Sequence, residues 1–115
     1  GDADLRKAPD FLGRVEFEMS PASGLEAGAA WTLRVYVVNE GKKAIRVQGV
    51  TVGTTVNGAA SGGAVPPRTR EVAPQARALV AEATGSWREG TTAWAADATV
   101  TAGKGESLRN TLTWR

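Results

Sequence analysis

The sequence predicts an all-β protein, an immunoglobulin-like antiparallel β-sandwich of about seven strands. Three observations predict it. Apolar and polar residues alternate with period two along several stretches, ending on Leu108-Arg109-Asn110-Thr111-Leu112-Thr113-Trp114, as strands with one buried and one wet face do. Turn residues, above all Gly, separate these stretches at short intervals, a spacing that suits stacked sheets joined by tight connections. The chain has 115 residues, 42% of them hydrophobic and 23% charged, enough for one domain to bury a core without disulfides or metal.

Residues 1–12 form the expected flexible lead, because Asp2 to Asp10 has the polar composition of a linker, and the domain proper is placed at 13–115. Gly1-Asp2-Ala3-Asp4 brings no initiator Met, no basic n-region and no apolar h-region, so no signal peptide is read and a piece of a larger protein is expected. Val15, Phe17 and Met19 alternate with Arg14, Glu16 and Glu18, giving a first strand with one apolar and one charged face. Ser20-Pro21-Ala22-Ser23-Gly24 and then Glu26-Ala27-Gly28 are bends. Trp31, Leu33, Val35 and Val37 share one face of a second strand, with Thr32, Arg34 and Tyr36 on the other.

Asn39-Glu40-Gly41-Lys42-Lys43 is a turn by composition, with Gly41 free to take a positive φ. Ile45 and Val47 open a third strand whose apolar parity shifts to Val50 and Val52 across Gly49, the mark of a β-bulge. Asn57-Gly58 is a two-residue hairpin turn, because both residues tolerate positive φ. The stretch Ala59 to Arg70 has too much Gly and Pro for regular structure and too little apolar content for core, and is expected as a long surface loop. Pro74 to Thr84 fits two readings. Ala76, Leu79, Val80 and Ala83 sit at helical spacing with Pro74 at a helix start, but a strand agrees better with the all-β context on both sides. Gly85-Ser86-Trp87-Arg88-Glu89-Gly90 is a turn, and Trp94, Ala96, Ala98 and Val100 face one way along the next strand. Ala102-Gly103-Lys104-Gly105 then turns into the last strand, with Leu108, Asn110, Leu112 and Trp114 on one face.

The chain contains no His and no Cys, the residues that supply most general bases, thiol nucleophiles and transition-metal ligands. No disulfide, cofactor or metal is expected, and the protein is not expected to be an enzyme. Glu16 and Glu18 project from one strand face about 6.5–7 Å apart in backbone terms, a spacing that carboxylate pairs can use. With Arg14 and Arg34 beside them, they read as a solvated face. Ser61, Ser86 and Ser107 have only Lys as a candidate base, and no Ser-x-x-Lys spacing supplies one. Gly58-Ala59-Ala60-Ser61-Gly62-Gly63 lacks the ending of a phosphate loop, and Asp10 and Asp97 are too isolated for a calcium cage. Fourteen Lys and Arg against 12 Asp and Glu give a net charge of +2, scattered rather than striped, so neither nucleic acid nor membrane insertion is expected.

Of the four Trp, Trp31, Trp94 and Trp114 continue apolar strand faces and read as core. Trp87 stands in a turn beside Arg88, where it either folds back to cap the sandwich or stays exposed as the kind of anchor interfaces use. Together with the Pro-Pro stiffener and cations of the 61–70 stretch, this makes Trp87, Arg88, Pro66, Pro67, Arg68 and Arg70 the candidate interaction surface.

Four runs carry a family likeness. Leu25-Glu26-Ala27-Gly28 precedes a strand and Val37-Val38-Asn39-Glu40-Gly41 ends it; Val72-Ala73-Pro74 leads into a later strand, with Gln75 where the family has Gly; Glu106-Ser107-Leu108-Arg109-Asn110 opens the last. Together they resemble CARDB-like modules, bacterial immunoglobulin-like domains named for a suggested link to cell adhesion and usually found as appendages of larger envelope or secreted proteins. The resemblance spans about Val15 to Trp114. It implies an immunoglobulin-like fold, no shared catalytic residues, and a place in the cell envelope or outside the cell. The expected function is a non-catalytic module for adhesion, spacing or protein–protein contact, partnered by other domains of the parent or by another protein. Two alternatives stay open at this point. One is a module binding carbohydrate or an extended peptide through Trp87, the 61–70 stretch or an open sheet edge; the other is an inhibitor domain presenting the Pro-Pro loop to a protease.

Overall fold

The computed structural model describes residues 7–21 and 26–114, the side chain of Trp114 excepted. The expected bend at 22–24, Leu25 and the core role of Trp114 therefore lie outside the described residues. The strands are β1 (Gly13–Ser20), β2 (Ala30–Asn39), β3 (Ile45–Val56), β4 (Ala59–Val65), β5 (Glu71–Val72), β6 (Arg77–Ser86), β7 (Trp94–Ala102) and β8 (Ser107–Trp114), with a 3-10 turn at Gly103–Gly105 before β8. They build two antiparallel sheets, ordered β1-β2-β6 and β4-β3-β7-β8, with the two-residue β5 pairing the start of β3. This is the immunoglobulin-like sandwich that the period-two alternation predicts.

The core comes from the alternating positions. Val15, Leu33, Val35 and Val37 of one sheet are buried against Val50, Val52, Ala98 and Val100 of the other, each large aliphatic contributing about 1.5–3 kcal/mol by leaving water. The parity shift across Gly49 is a real irregularity, since the β3–β7 register jumps between Val47 and Gly49. Asn57 (φ 47) and Gly58 (φ 85) form the tight turn between β3 and β4, both in the left-handed region that such hairpins need.

Two readings of the sequence are corrected, and one left between alternatives is decided. Ala59 to Arg70 is not one loop: residues 59–65 pair with β3 in unbroken register, from Val56↔Ala59 to Val50↔Val65. The hairpin turn returns the chain alongside β3, and backbone pairing there outweighs the weak strand preference of Ala, Gly and Ser. The turn expected from Gly85 begins at Trp87, because Gly85 and Ser86 still belong to β6. For Pro74 to Thr84 the preferred strand reading holds, with β6 at Arg77–Ser86; the helical-looking spacing comes from a bulge, as Val35 pairs Ala81 and Tyr36 pairs Leu79, leaving Val80 as the extra residue.

The Asn39-x-Gly41 turn is built around a buried amide. Asn39 is fully buried; its Nδ2 donates to the carbonyls of Lys43 and Val72, and its Oδ1 accepts the Gly41 N–H. A side chain on Gly41 would run into the backbone of Asp10 and Leu12, at 2.6 and 2.9 Å. The described part of the lead lies there because Lys42 and Lys43 donate backbone bonds to the carbonyls of Pro9 and Asp10, and Glu40 and Gly41 to that of Leu12. Gln75 adopts φ 63, the backbone region that favours Gly, and its side-chain amide donates to the carbonyl of Glu40 at 3.1 Å.

Candidate interaction groove

One side of the sandwich is left open by small residues. On β4 the residues paired with the inward-facing Val52, Thr54 and Val56 are Gly63, Ser61 and Ala59; on β6 the residues paired with Leu33 and Trp31 are Ala83 and Gly85. None is large enough to fill the space between the sheets. A groove of about 720 Å³ results, walled by Ala59–Gly62 on one side and Ala83–Ser86 on the other.

Its floor is aromatic. Trp31 meets Trp94 edge-to-face, with centroids 5.5 Å apart and planes at 71°, and Trp87 lies tilted at 56° to Trp94 with the same centroid distance. Such pairs add about 0.5–1.5 kcal/mol each beyond area burial. Gly85 is required for this arrangement, since a Cβ there would stand 2.6 Å from Cε2 of Trp31.

The structure distributes the expected surface residues unevenly. Trp87 is only 5% exposed, so it is not an exposed anchor. Its N–H donates to the Ala29 carbonyl at 2.9 Å and its carbonyl accepts from Gly28 at 2.7 Å, continuing the β2–β6 ladder and turning the indole inward. Arg88, exposed, stands on the groove rim with Glu89. Pro66 and Pro67 open the connection from β4 to β5, which runs past β6 of the facing sheet and is strapped to it: Arg68 N–H donates to the Val80 carbonyl at 2.8 Å, and Thr69 Oγ1 to the Leu79 carbonyl at 2.7 Å. The Pro-Pro segment is thus held along the seam rather than presented as a free loop. Arg70 stands apart, lining a shallow cleft with Arg46, Gln48 and Glu71. The residues that sequence reasoning missed are those of the two walls. Asn57-Gly58 was the available signal, since a hairpin turn implies a returning strand.

Ionisable groups gather elsewhere, on the outer face of the β1-β2-β6 sheet. Arg14 pairs with Glu16 and Glu40, and Arg77 pairs with Glu16 at 3.1 Å and Glu18 at 3.2 Å. Arg77 also lies 3.5 Å over the Tyr36 ring. The carboxyl of Glu16 is held below its ordinary range, first by the hydrogen bond from Arg14 and then by that from Arg77. Arg34 and Arg68 meet on Glu82. Glu16 and Glu18 therefore sit in a solvated network of ion pairs, where each pair contributes little. Among the described residues no three His, Cys, Asp or Glu come together to hold a metal ion, and no helix is long and apolar enough to cross a membrane.

No family model matches the chain, and no curated protein matches it. Solved structures do. A putative ApaA protein from Bordetella pertussis superposes with a TM-score of 0.64 at 10% identity, over 93% of this chain and 94% of that one. A CARDB domain from Pyrococcus furiosus, solved in complex with di-metal ions, superposes with a TM-score of 0.53 at 14% identity, over 90% and 87% of the two chains. The sporulation control protein Spo0M from Bacillus subtilis superposes with a TM-score of 0.52 at 13% identity, over 88% of this chain and 47% of its own, so the chain spans about half of that protein. The likeness at these identities is one of fold, and that fold is CARDB-like.

Proposed function

We propose that this chain is a non-catalytic immunoglobulin-like module of a larger bacterial protein, and that its work is protein contact made at the groove between β4 and β6. The observation that carries this reading is the groove itself: an aromatic floor between two sheet edges, β4 of one sheet and β6 of the other. Arg88 and Glu89 are the groove's ionisable lining residues, which supports contact over acid–base chemistry. Carbohydrate stacking needs an exposed indole face, and Trp31, Trp87 and Trp94 are all buried. A protease-inhibitor role needs a projecting loop, and the Pro-Pro segment is strapped to β6. The di-metal site of the archaeal CARDB domain is not carried over, because the described residues offer no matching ligand cluster.

The test uses the absence of Cys from the chain. A benzophenone attached at Ser86→Cys, on the groove wall, is compared with one at Arg109→Cys on the exposed strand β8. The expected result is saturable crosslinking of one defined partner at Ser86 and not at Arg109. Equal labelling at both positions, or catalytic turnover traced to residues of this domain, would remove the reading.

A further inference from the structure

The backbone bordering the groove says what kind of segment fits it. Val56 and Ala59 flank the two-residue turn, so they exchange both hydrogen bonds. Alternation then directs the backbone groups of Ala59, Ser61 and Gly63 toward β3 and those of Ala60, Gly62 and Ala64 away from it. On the other wall Trp87 bonds Ala29 and Gly28 through its own N–H and carbonyl. By the same alternation Gly85 and Ala83 face β2, while Ser86 and Thr84 turn their backbone groups outward. Among the described residues nothing pairs with either outward row along the groove.

Sheet edges are normally guarded by charge, Pro, bulges or a covering segment. The other edges here are guarded: β1 carries Arg14, Glu16 and Glu18, β8 carries Arg109, and the Val80 end of β6 lies under Arg68 and Thr69. Between Ala59 and Val65 there is no charge and no Pro. Gly62 stands at φ 109 with no room for a Cβ beside Gly53 Cα at 2.9 Å, and the part of this edge that lines the groove runs from Ala59 to Gly62, so its outward row there is Ala60 and Gly62.

We propose that this groove is a strand-acceptor slot. An extended, uncharged segment of a partner protein, apolar at alternate positions, pairs with the Ala60–Gly62 edge and lays its apolar side chains into the groove between Ala59–Gly62 and Ala83–Ser86. This rests on the contact reading above. The slot offers no net charge to complement an acidic or basic segment, because β4 is uncharged and Arg88 and Glu89 on the rim offset each other. A second copy paired β4 to β4 is the poorer occupant. A seven-residue strand rising about 3.3 Å per residue in a sheet about 10 Å deep presents roughly 230 Å² per partner, against about 800 Å² in a stable interface. A strand lying within the groove touches both walls and the floor, so it gains burial that edge pairing alone lacks.

The probe is a capped peptide of alternating Val and Thr with a short polyethylene glycol tail, added to the full chain. Amide shifts and hydrogen exchange report on Ala60, Gly62, Thr84 and Ser86. The expected result is saturable binding that slows exchange at Ala60 and Gly62. N-methylation of the peptide at alternate residues should weaken binding by roughly tenfold, equivalent to about 1.4 kcal/mol. Ala60→Pro should do the same, since it removes an outward N–H and leaves the ladder to β3 intact. If that variant does not fold, the N-methyl comparison decides alone. No binding at millimolar peptide, or equal binding of the N-methylated peptide, overturns the slot. So does concentration-dependent dimerisation that protects Ala60, which would make a second copy the occupant. Crosslinking confined to Ser86 together with a null peptide result would sink the strand slot while leaving the contact reading intact.

Discussion

Replacing Asn39 by Ala should destabilise the domain by about 3 kcal/mol. The side chain is fully buried and makes three hydrogen bonds: to the carbonyls of Lys43 at 2.8 Å and Val72 at 3.0 Å, and from the Gly41 N–H at 2.9 Å. These tie the end of β2 to the following turn and to β5. Its removal does not strand the three groups equally. The Gly41 N–H keeps the Leu12 carbonyl at 3.1 Å, and Lys43 is exposed, so water reaches its carbonyl. The Val72 carbonyl loses its bond in a buried place. That loss costs about 1–3 kcal/mol and each of the other two about 0.5–1.5 kcal/mol, a range of about 2–6 kcal/mol whose lower half, about 3 kcal/mol, applies because the Gly41 and Lys43 groups keep other partners. Urea unfolding followed by tryptophan emission measures it, and the melting temperature should fall by roughly 10–20 °C for a domain of this size. Asn39→Asp separates lost donors from lost volume. Its carboxylate would face two carbonyl oxygens in a buried site, raising the folded-state pKa above the unfolded value of about 3.9. The variant should therefore be closest to wild type below about pH 3.9 and lose stability as pH rises through the folded value. An Asn39→Ala cost under about 0.5 kcal/mol, or an Asn39→Asp profile parallel to wild type, would refute the argument that this amide holds the turn.

Gly85→Ala drives a Cβ to 2.6 Å from Cε2 of a Trp31 ring already packed on Trp94. It should cost about 1–3 kcal/mol and alter the near-ultraviolet circular dichroism of the indoles; an unchanged spectrum would mean that the ring has room to move. Asn57→Ala removes the acceptor of the Thr92 and Ala93 N–H groups and the donor to the Gly90 carbonyl, at a residue with φ 47. About 2 kcal/mol should be lost, and hydrogen exchange should accelerate at Thr92 and Ala93 before it does in β2; uniform acceleration would contradict a local pin. Glu16 has its folded pKa depressed by Arg14 and then Arg77, so its contribution is present above its unfolded pKa and disappears as pH falls through the folded one. Glu16→Gln should flatten the acid limb of the urea-midpoint profile, and high salt should shrink the difference; identical acid limbs would show that the exposed pairs contribute nothing.

The sequence resolves the strands whose inward positions are bulky. Val15, the run from Trp31 to Val37, and the Trp94 to Val100 face all bury what their alternation says they bury, because apolar area is the main term fixing which face turns in. Two backbone features were legible for a different reason. Gly49 marks its bulge by breaking parity, and Asn57-Gly58 marks its turn because few residues accept positive φ. What stayed hidden depends on partners far away in the chain. The Val80 bulge mimics helical spacing until β2 is laid beside it. Asn39 looks like an ordinary turn residue, since nothing in Asn39-Glu40-Gly41 announces that Val72 will bring its carbonyl to the same amide. Trp87 fits both a folded-back and an exposed state from its Gly-rich neighbourhood, and its backbone ladder to Ala29 and Gly28 decides that the ring turns in.

The strand that sequence reading missed is also a wall of the candidate site, and one physical cause explains both. A strand is legible when its inward residues bury area, and Ala59, Ser61 and Gly63 bury almost none. Hence β4 is held by the turn at Asn57-Gly58 and by its ladder to β3 rather than by its own side chains. The same deficit leaves the seam opposite Ala83 and Gly85 unfilled above the buried indoles. Valine at those inward positions would have made β4 obvious, at about 0.8 kcal/mol gained per buried methylene, and would have closed the groove. A domain that gives up that stabilisation along one edge while packing the rest tightly departs from the local rule for strands in a single place, and such departures concentrate where a protein meets something else.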